Sequence, residues 1–181
     1  MNTTVPTLQL QPGGMPGLAP GGWRVDPAHS RVLFVARVAG RAVRGRLQVT
    51  GSVLIGEQIE DSAVRLTVPT GAVSTGSPVL DRLLASRAFL DAEVFPEITF
   101  SSEQLVWVPA GWRMLGRLRV KGKDHELACQ VSPQLGKLQP ANSRILTSTW
   151  ALDSRWVTSE RILALGRRIP MTCSLALVPD M

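Results

Sequence analysis

The sequence predicts a mainly all-β chain: one antiparallel barrel with a single inserted helix. Three observations carry this expectation. From Trp23 almost to the C-terminus, apolar and polar residues alternate with a period of two. The alternating runs are short and are separated by Gly, Pro and Asn turns. Only one window, "SPVLDRLLASRAF", has helical periodicity. One helix between early and late strands suits a barrel with a plug or lid better than a sandwich.

The elements follow in order. "SRVLFVARV" places Val32, Phe34, Ala36 and Val38 on one face, with Arg31 and Arg37 on the other. Leu33 and Val35 share that second face, so something besides the core is expected to cover it. "GRAVRGRLQVTGSVLI" sets Val43, Gly45, Leu47 and Val49 against Arg44, Arg46 and Gln48. Gly45 and Gly51 suit the bends and bulges of a closing sheet. "AVRLTVP" turns Val64, Leu66 and Val68 inward. The helix is expected near 78–88: Ser77 is an N-cap, Pro78 takes the first position, and Leu80, Leu83 and Leu84 form the apolar stripe. After Phe95–Pro96 the strand patterns resume in "EITFSSEQLVWV", "WRMLGRLRVKG", "HELACQV", "SRILTSTWALD" and "IPMTCSLALV".

Composition narrows the function classes. A chain of 181 residues, 44% apolar and 19% charged, is globular and holds one domain with a core. A formal charge of +6 and a pI near 10.6 bring nucleic acid and anionic lipid into view. The basic residues alternate with apolar ones, as in Arg41, Arg44 and Arg46 or Arg117, Arg119 and Lys121. Such spacing reads first as a solvated strand face and second as an anionic surface contact, with no specific nucleic acid expected. Cys129 and Cys173 form no metal or redox motif and read as buried free thiols, with an inter-strand disulfide as the alternative. Residues 1–22 carry neither a basic n-region nor a continuous apolar core and are broken by Pro and Gly. They read as a flexible leader before a domain at 23–181, and the expected location is cytoplasmic.

Asp81, Asp91, Glu93 and Glu97 stand close enough in sequence to suggest paired catalytic carboxylates. No His, metal ligand or nucleophile accompanies them, so a structural joint between helix and strand is the better reading. His29 is expected to orient a turn, and His125, beside Lys123 and Asp124, to be solvated. Trp23, Trp107, Trp112, Trp150 and Trp156 fall at or near predicted strand ends, as rim packing or as an aromatic contribution to binding. Phe34, Phe89, Phe95 and Phe100 read as core or lumen.

Five pieces of the chain are similar to a known family. They are "WRVDPAHSRVLF" from Trp23, "VRGRL" from Val43, "AVSTG" from Ala72, "LDRLLASRAFLDAEVFPEITFSS" from Leu80 and "GRLRVKGKDHEL" from Gly116. In order and spacing the chain resembles the YceI-like family, lipocalin-like barrels that bind polyisoprenoid lipids, from about Trp23 to Val178. It departs from the family pattern at Asp124 and, more seriously, in "LDSRWVTSERILALG", which puts the rim geometry there in question. The resemblance implies a barrel of about eight antiparallel strands, a size that encloses one small ligand.

The expected function is non-enzymatic binding of an isoprenoid or other long-chain apolar lipid in the barrel lumen, for carriage, storage or sequestration. The expected lining is Val32, Phe34, Ala36, Val43, Leu47, Val64, Leu66, Leu84, Phe89, Phe100 and Leu118. A ten-residue strand tilted in a barrel leaves a depth of roughly 25 Å, enough for about five extended isoprene units. No catalytic residue, metal or cofactor is expected beyond a bound isoprenoid lipid or quinone, and membrane contact is at most peripheral. The alternative is an interaction or stress-response module with a side-chain-filled barrel, dimeric through Leu33 and Val35.

Overall fold

Alternation of period two becomes ten strands, because each buries its apolar face and leaves the polar one to solvent. The structure, a computed structural model, describes residues 15, 17–38, 40–109, 111–134, 144–158 and 166–180. The strands are β1 (Gly21–Val25), β2 (Arg31–Val38), β3 (Arg41–Leu47), β4 (Thr50–Ile55) and β5 (Ala63–Pro69). After the helix α1 (Pro78–Ala85) come β6 (Glu97–Val108), β7 (Gly111–Val120), β8 (Lys123–Gln134), β9 (Arg144–Asp153) and β10 (Arg168–Pro179).

All pairings are antiparallel. The ladder runs β1–β4–β5–β6–β7–β8–β9–β10 and returns to β1, a closed barrel of eight strands with one helix. The remaining two strands prolong it at one end. β10 pairs with β2 through Met171–Ser174 and with β1 through Leu177–Pro179, so β1 and β2 run as one interrupted strand along it.

Side chains suture the interruption, which is the "DPAHS" piece. Ser30 Oγ accepts from the Ala176 amide at 2.8 Å, and the Asp26 amide donates to the Ala176 carbonyl, also at 2.8 Å. Asp26 accepts from the Ala28 amide and pairs with His29 Nδ1 at 2.6 Å, so His29 does orient the turn. That hydrogen bond is the main cause holding the Asp26 carboxyl below its ordinary value.

Two glycines act by close approach to a ring. A Cβ at Gly45 would come within 2.2 Å of Phe34 Cζ, and one at Gly116 within 2.5 Å of Phe100 Cζ. Gly45 therefore makes room for an aromatic ring; it is not the bulge the sequence suggested, and β2 and β3 pair without a break from Val32↔Leu47 to Val38↔Arg41. The register shift lies instead in β6, between Ser102 and Gln104.

The chain from Gly71 to Phe95 leaves the barrel and returns to it. Buried Thr70 clamps both ends: its amide donates to the Pro96 carbonyl at 2.9 Å and its hydroxyl to the Phe95 carbonyl at 2.7 Å. The helix within this excursion is shorter than the expected 78–88, and Ser77 makes no side-chain cap. Asp81 anchors the first turn instead, its Oδ1 accepting from the Thr75 amide at 2.7 Å and hydroxyl at 2.6 Å. Asp91, at φ +52°, takes a left-handed position just after the turn that follows the helix, its amide donating to the Ser86 carbonyl at 2.9 Å, a conformation Asp tolerates. These two of the four acids make a joint between helix and strand.

Residues 1–14 lie outside the described residues. The leader expected through residue 22 needs correcting at its end, since Met15 and Leu18 are buried against the barrel. Trp23 Nε1 donates to the Ala19 carbonyl and Arg144 Nε to the Gly17 carbonyl, which hold this segment across the β1–β4 end. Apolar contact outweighs the Pro/Gly composition here because the barrel supplies a surface the segment lacks alone. Among the described residues, no helix is long and apolar enough to cross a membrane.

Candidate functional site

Inward residues of the strands, together with the excursion, enclose a lumen. A water-sized sphere can centre itself in about 120 Å³ of it, and the space free of atoms, open mouth included, is about 1050 Å³. Its walls come from β2, β3 and β5–β10, and its cover from Val73, Leu84, Phe89 and Leu90 of the excursion. Among the described residues, Ser148 is the one hydroxyl or charged side chain lining it; the remainder are aliphatic, aromatic or sulfur-bearing.

Nine of the eleven residues expected from the sequence lie on this wall: Val32, Phe34, Ala36, Leu47, Leu66, Leu84, Phe89, Phe100 and Leu118. Val43 does not. It shares the inward parity of Leu47 but sits toward the tip of the β2–β3 hairpin, only half-buried. Val64 does not either: it is buried, but one step farther down β5. There it lines a second, smaller cavity of about 20 Å³ with Met15, Val53, Ile55 and Leu105. Leu66, Met114 and Ser148 touch both spaces and form the waist between them. The open lumen is thus shorter than the barrel, because large side chains and Met15 fill the β1–β4 end.

More than half of the wall was missed. β8, β9 and β10 contribute Leu127, Cys129, Trp150, Leu152, Ile169, Met171 and Cys173. The signal was present in "IPMTCSLALV", where Ile169, Met171 and Cys173 alternate with Pro170, Thr172 and Ser174. Trp150 is no rim residue: it lies within β9 and faces the lumen, and Trp23 likewise is buried inside β1. Phe95 is half-buried beside Gly122 and stays outside the lumen wall.

The covered end carries the polar groups. Lys121 and Gly122, at φ +49° and +72°, make the tight β7–β8 turn. Lys121 Nζ donates to the Phe89 carbonyl at 2.7 Å and reaches the Val157 carbonyl at 3.4 Å, tying the cover to the barrel. His125, expected to be solvated, instead stacks on Trp156 with ring centroids 4.3 Å apart, and its Nε2 is buried with no hydrogen-bond partner. Inward parity with Leu127 and Cys129 accounts for the difference, since a polar hairpin residue on the inner face still turns inward. Residues 159–165 of the divergent rim segment lie outside the described residues. Among the described residues, no group of three or more His, Cys, Asp or Glu is placed to hold a metal.

Both thiols are free and buried in the lumen wall, with no disulfide between them. Cys173 pairs in register with Ser148 of β9, and β9 separates β8 from β10, so the two cysteines stand two strands apart, too far for the bridge. Burial pushes the Cys129 thiol up to about 11 from 9.0. Burial, with Cys129 nearby, pushes Cys173 up to about 12. The folded chain therefore holds these protons where the unfolded chain has released them. Their contribution to stability is complete below about pH 9 and is lost as pH rises toward 11–12. Urea midpoints for the wild type are expected to fall between pH 9 and 11, and the Cys129→Ala/Cys173→Ala protein to show a shallower fall. Equal slopes would show that the two thiols do not set the fall.

A family model for the YceI-like domain matches residues 23–176. The chain belongs to the YceI-like family. Solved structures agree on the fold of this YceI-like chain. Burkholderia cenocepacia BcnA superposes with a TM-score of 0.70 at 16% identity, covering 84% of this chain and 98% of that one. A polyisoprenoid binding domain from Saccharophagus degradans, implicated in plant cell wall breakdown, gives 0.57 at 13% identity, covering 87% and 98%. The Campylobacter jejuni YCEI protein gives 0.57 at 16% identity, covering 77% and 86%. No curated protein matches the sequence. At these identities the structural likeness speaks for the barrel, and the function of this YceI-like chain is argued from its own lumen.

Proposed function

We propose that this YceI-like chain binds an isoprenoid or other long-chain apolar lipid in its lumen, without catalysis, as a carrier, store or sequestering protein. The observation that carries the reading is the lumen itself: open space walled by apolar side chains and covered by an excursion tied down by Lys121. Transfer of hydrocarbon from water into such a space is worth roughly 0.8 kcal/mol per CH₂. The described polyisoprenoid binding domain of Saccharophagus degradans shares the fold and supports the choice of ligand class. A barrel filled by its own side chains would leave no such space, so the cavity favours the binder over the filled module.

Ligand length follows from volume. At roughly 10–15 Å³ per water-sized group, the 120 Å³ lumen admits about eight to twelve such groups, or about two isoprene units. This is less than the five units that barrel depth alone suggested. A longer tail must swing the cover outward or leave through the mouth.

The test is mass spectrometry of the purified protein, native and then after organic extraction. A stoichiometric species with prenyl mass spacing is expected. An empty protein whose tryptophan emission, reported by lumen-facing Trp150, stays unchanged with added prenyl quinones would overturn the reading.

A further inference from the structure

We infer that the outer face of the β2–β3 hairpin is a docking surface for an anionic lipid bilayer, placed beside the break in the strand pairing of the lumen wall. The inference rests on the lumen-binding reading for its purpose, though not for its test.

The face has an unusual composition. Outward on β2 stand Arg31, Leu33, Val35 and Arg37, and Leu33 and Val35 are 42% and 38% exposed. Leu33 lies across from Arg46 and Val35 across from Arg44, while Arg41 stands exposed at the hairpin tip. Two exposed apolar side chains therefore share this face with four arginines, Arg31, Arg37, Arg44 and Arg46, while Arg41 has the opposite parity. β2, β3 and the neighbouring β10 contain no Asp or Glu. The ion pairs among the described residues involve other groups: His29–Asp26, Arg117–Glu103, Arg119–Asp124 and Arg155–Asp153. On β7, Arg117 and Arg119 have carboxylate partners. Among the described residues, no ion pair involves the arginines of this face.

The hairpin is also where the barrel wall is incomplete. β3 pairs with β2 alone, and β5 pairs with β4 and β6. Among the described residues, the Arg46↔Ser74 bridge is the one backbone pairing between β3 and the covering excursion, its amide–carbonyl bonds being 2.8 and 3.0 Å long. Behind that gap lie lumen residues of both sides: Leu47 of β3, Leu66 and Val68 of β5, and Leu84 of the cover. A lipid leaving a bilayer under this hairpin would meet a wall closed by side chains, without a full hydrogen-bonded ladder in its way.

Charge selects the occupant. A second copy docked symmetrically through Leu33 and Val35 would set arginines against arginines, with no acid on the face to pair them. A nucleic acid strand would answer the charge, but the face offers no aromatic side chain on which a base could stack. Phospholipid head groups answer the arginines, and the acyl layer beneath them receives Leu33 and Val35.

The test is co-sedimentation of the full chain with phosphatidylcholine vesicles, with and without about one-third phosphatidylserine. Binding to the anionic vesicles alone is expected, weakening as salt shortens the screening length. One arginine near an anionic surface changes affinity about five-fold, so Arg37→Gln/Arg44→Gln/Arg46→Gln is expected to weaken binding about a hundred-fold. Leu33→Thr/Val35→Thr is expected to weaken it by a smaller factor. The triple arginine variant should still take up a prenyl quinone from solution as the wild type does. Equal binding to neutral vesicles, an unchanged triple variant, loss of quinone uptake in that variant, or tighter binding to single-stranded oligonucleotide or polyglutamate would each overturn the inference. Vesicle binding by a protein that never takes up quinone would sink the lumen reading alone.

Discussion

Phe34→Asp is expected to lower uptake of a prenyl quinone at least a hundred-fold at pH 7, in a protein that keeps its barrel. Phe34 is 8% exposed, lines the lumen and lies so close over Gly45 that only glycine fits beneath the ring. A carboxylate there has no cationic partner on the lumen wall, so it either takes up a proton or draws water into the space the tail should fill. The first response gives the effect a pH signature. Desolvation raises the carboxyl above its usual value, so binding should recover partly as pH falls and vanish as it rises. Because a buried charge also threatens folding, Ala36→Phe is the companion. Ala36 is 4% exposed and faces the same lumen, so a ring there fills the cavity without polarity. Uptake should be lost again, this time at every pH. Quinone titrations of both variants, followed by Trp150 emission, would refute the lumen as the site if either protein bound like wild type.

The second large effect concerns stability, and it separates the two ends of the barrel. Leu177 has 0% exposure in β10, where the β1 pairing closes the ladder. Leu177→Ala is expected to cost about 2–5 kcal/mol, since tightly packed surroundings cannot collapse into the hole. Leu84, half-buried on the cover itself, already faces open space. Leu84→Ala removes fewer contacts and should cost under about 1.5 kcal/mol. Urea unfolding of both proteins checks the contrast. Equal, large losses would mean that the lumen is packed shut in solution, the filled barrel of the alternative reading.

How legible was this molecule before it folded? The inner faces of β2 and β5 were read correctly because strict alternation leaves one choice of face: Val32, Phe34 and Ala36 in, Arg31 and Arg37 out. Gly45 was legible as special but not as a seat for Phe34, since the pairing that brings them together is a matter of register. Val64 was placed on the right face and in the wrong space. Periodicity says in or out, but the waist at Leu66 and Met114 decides which cavity an inward residue meets. His125 failed for a related reason: its neighbours in sequence are polar, yet its neighbours in space are Trp156 and the inward side of β8.

Met15 and Leu18 show the limit from the other side. Their segment has the composition of a linker, and no local rule would bury it. It is buried because the β1–β4 end presents Val53, Ile55 and Leu105 to it, a surface that exists only once the ladder has closed.

By itself the sequence determined the class of fold, the faces of most strands, the covering helix and the family, since all of these rest on local periodicity and short motifs. Only the tertiary structure decided how much of the barrel is open, which inward residues share that space, and where the wall lacks a strand pairing. Those properties depend on contacts between residues far apart in the chain, such as Ser30 with Ala176 or Lys121 with Phe89, and spacing along the sequence carries no measure of them.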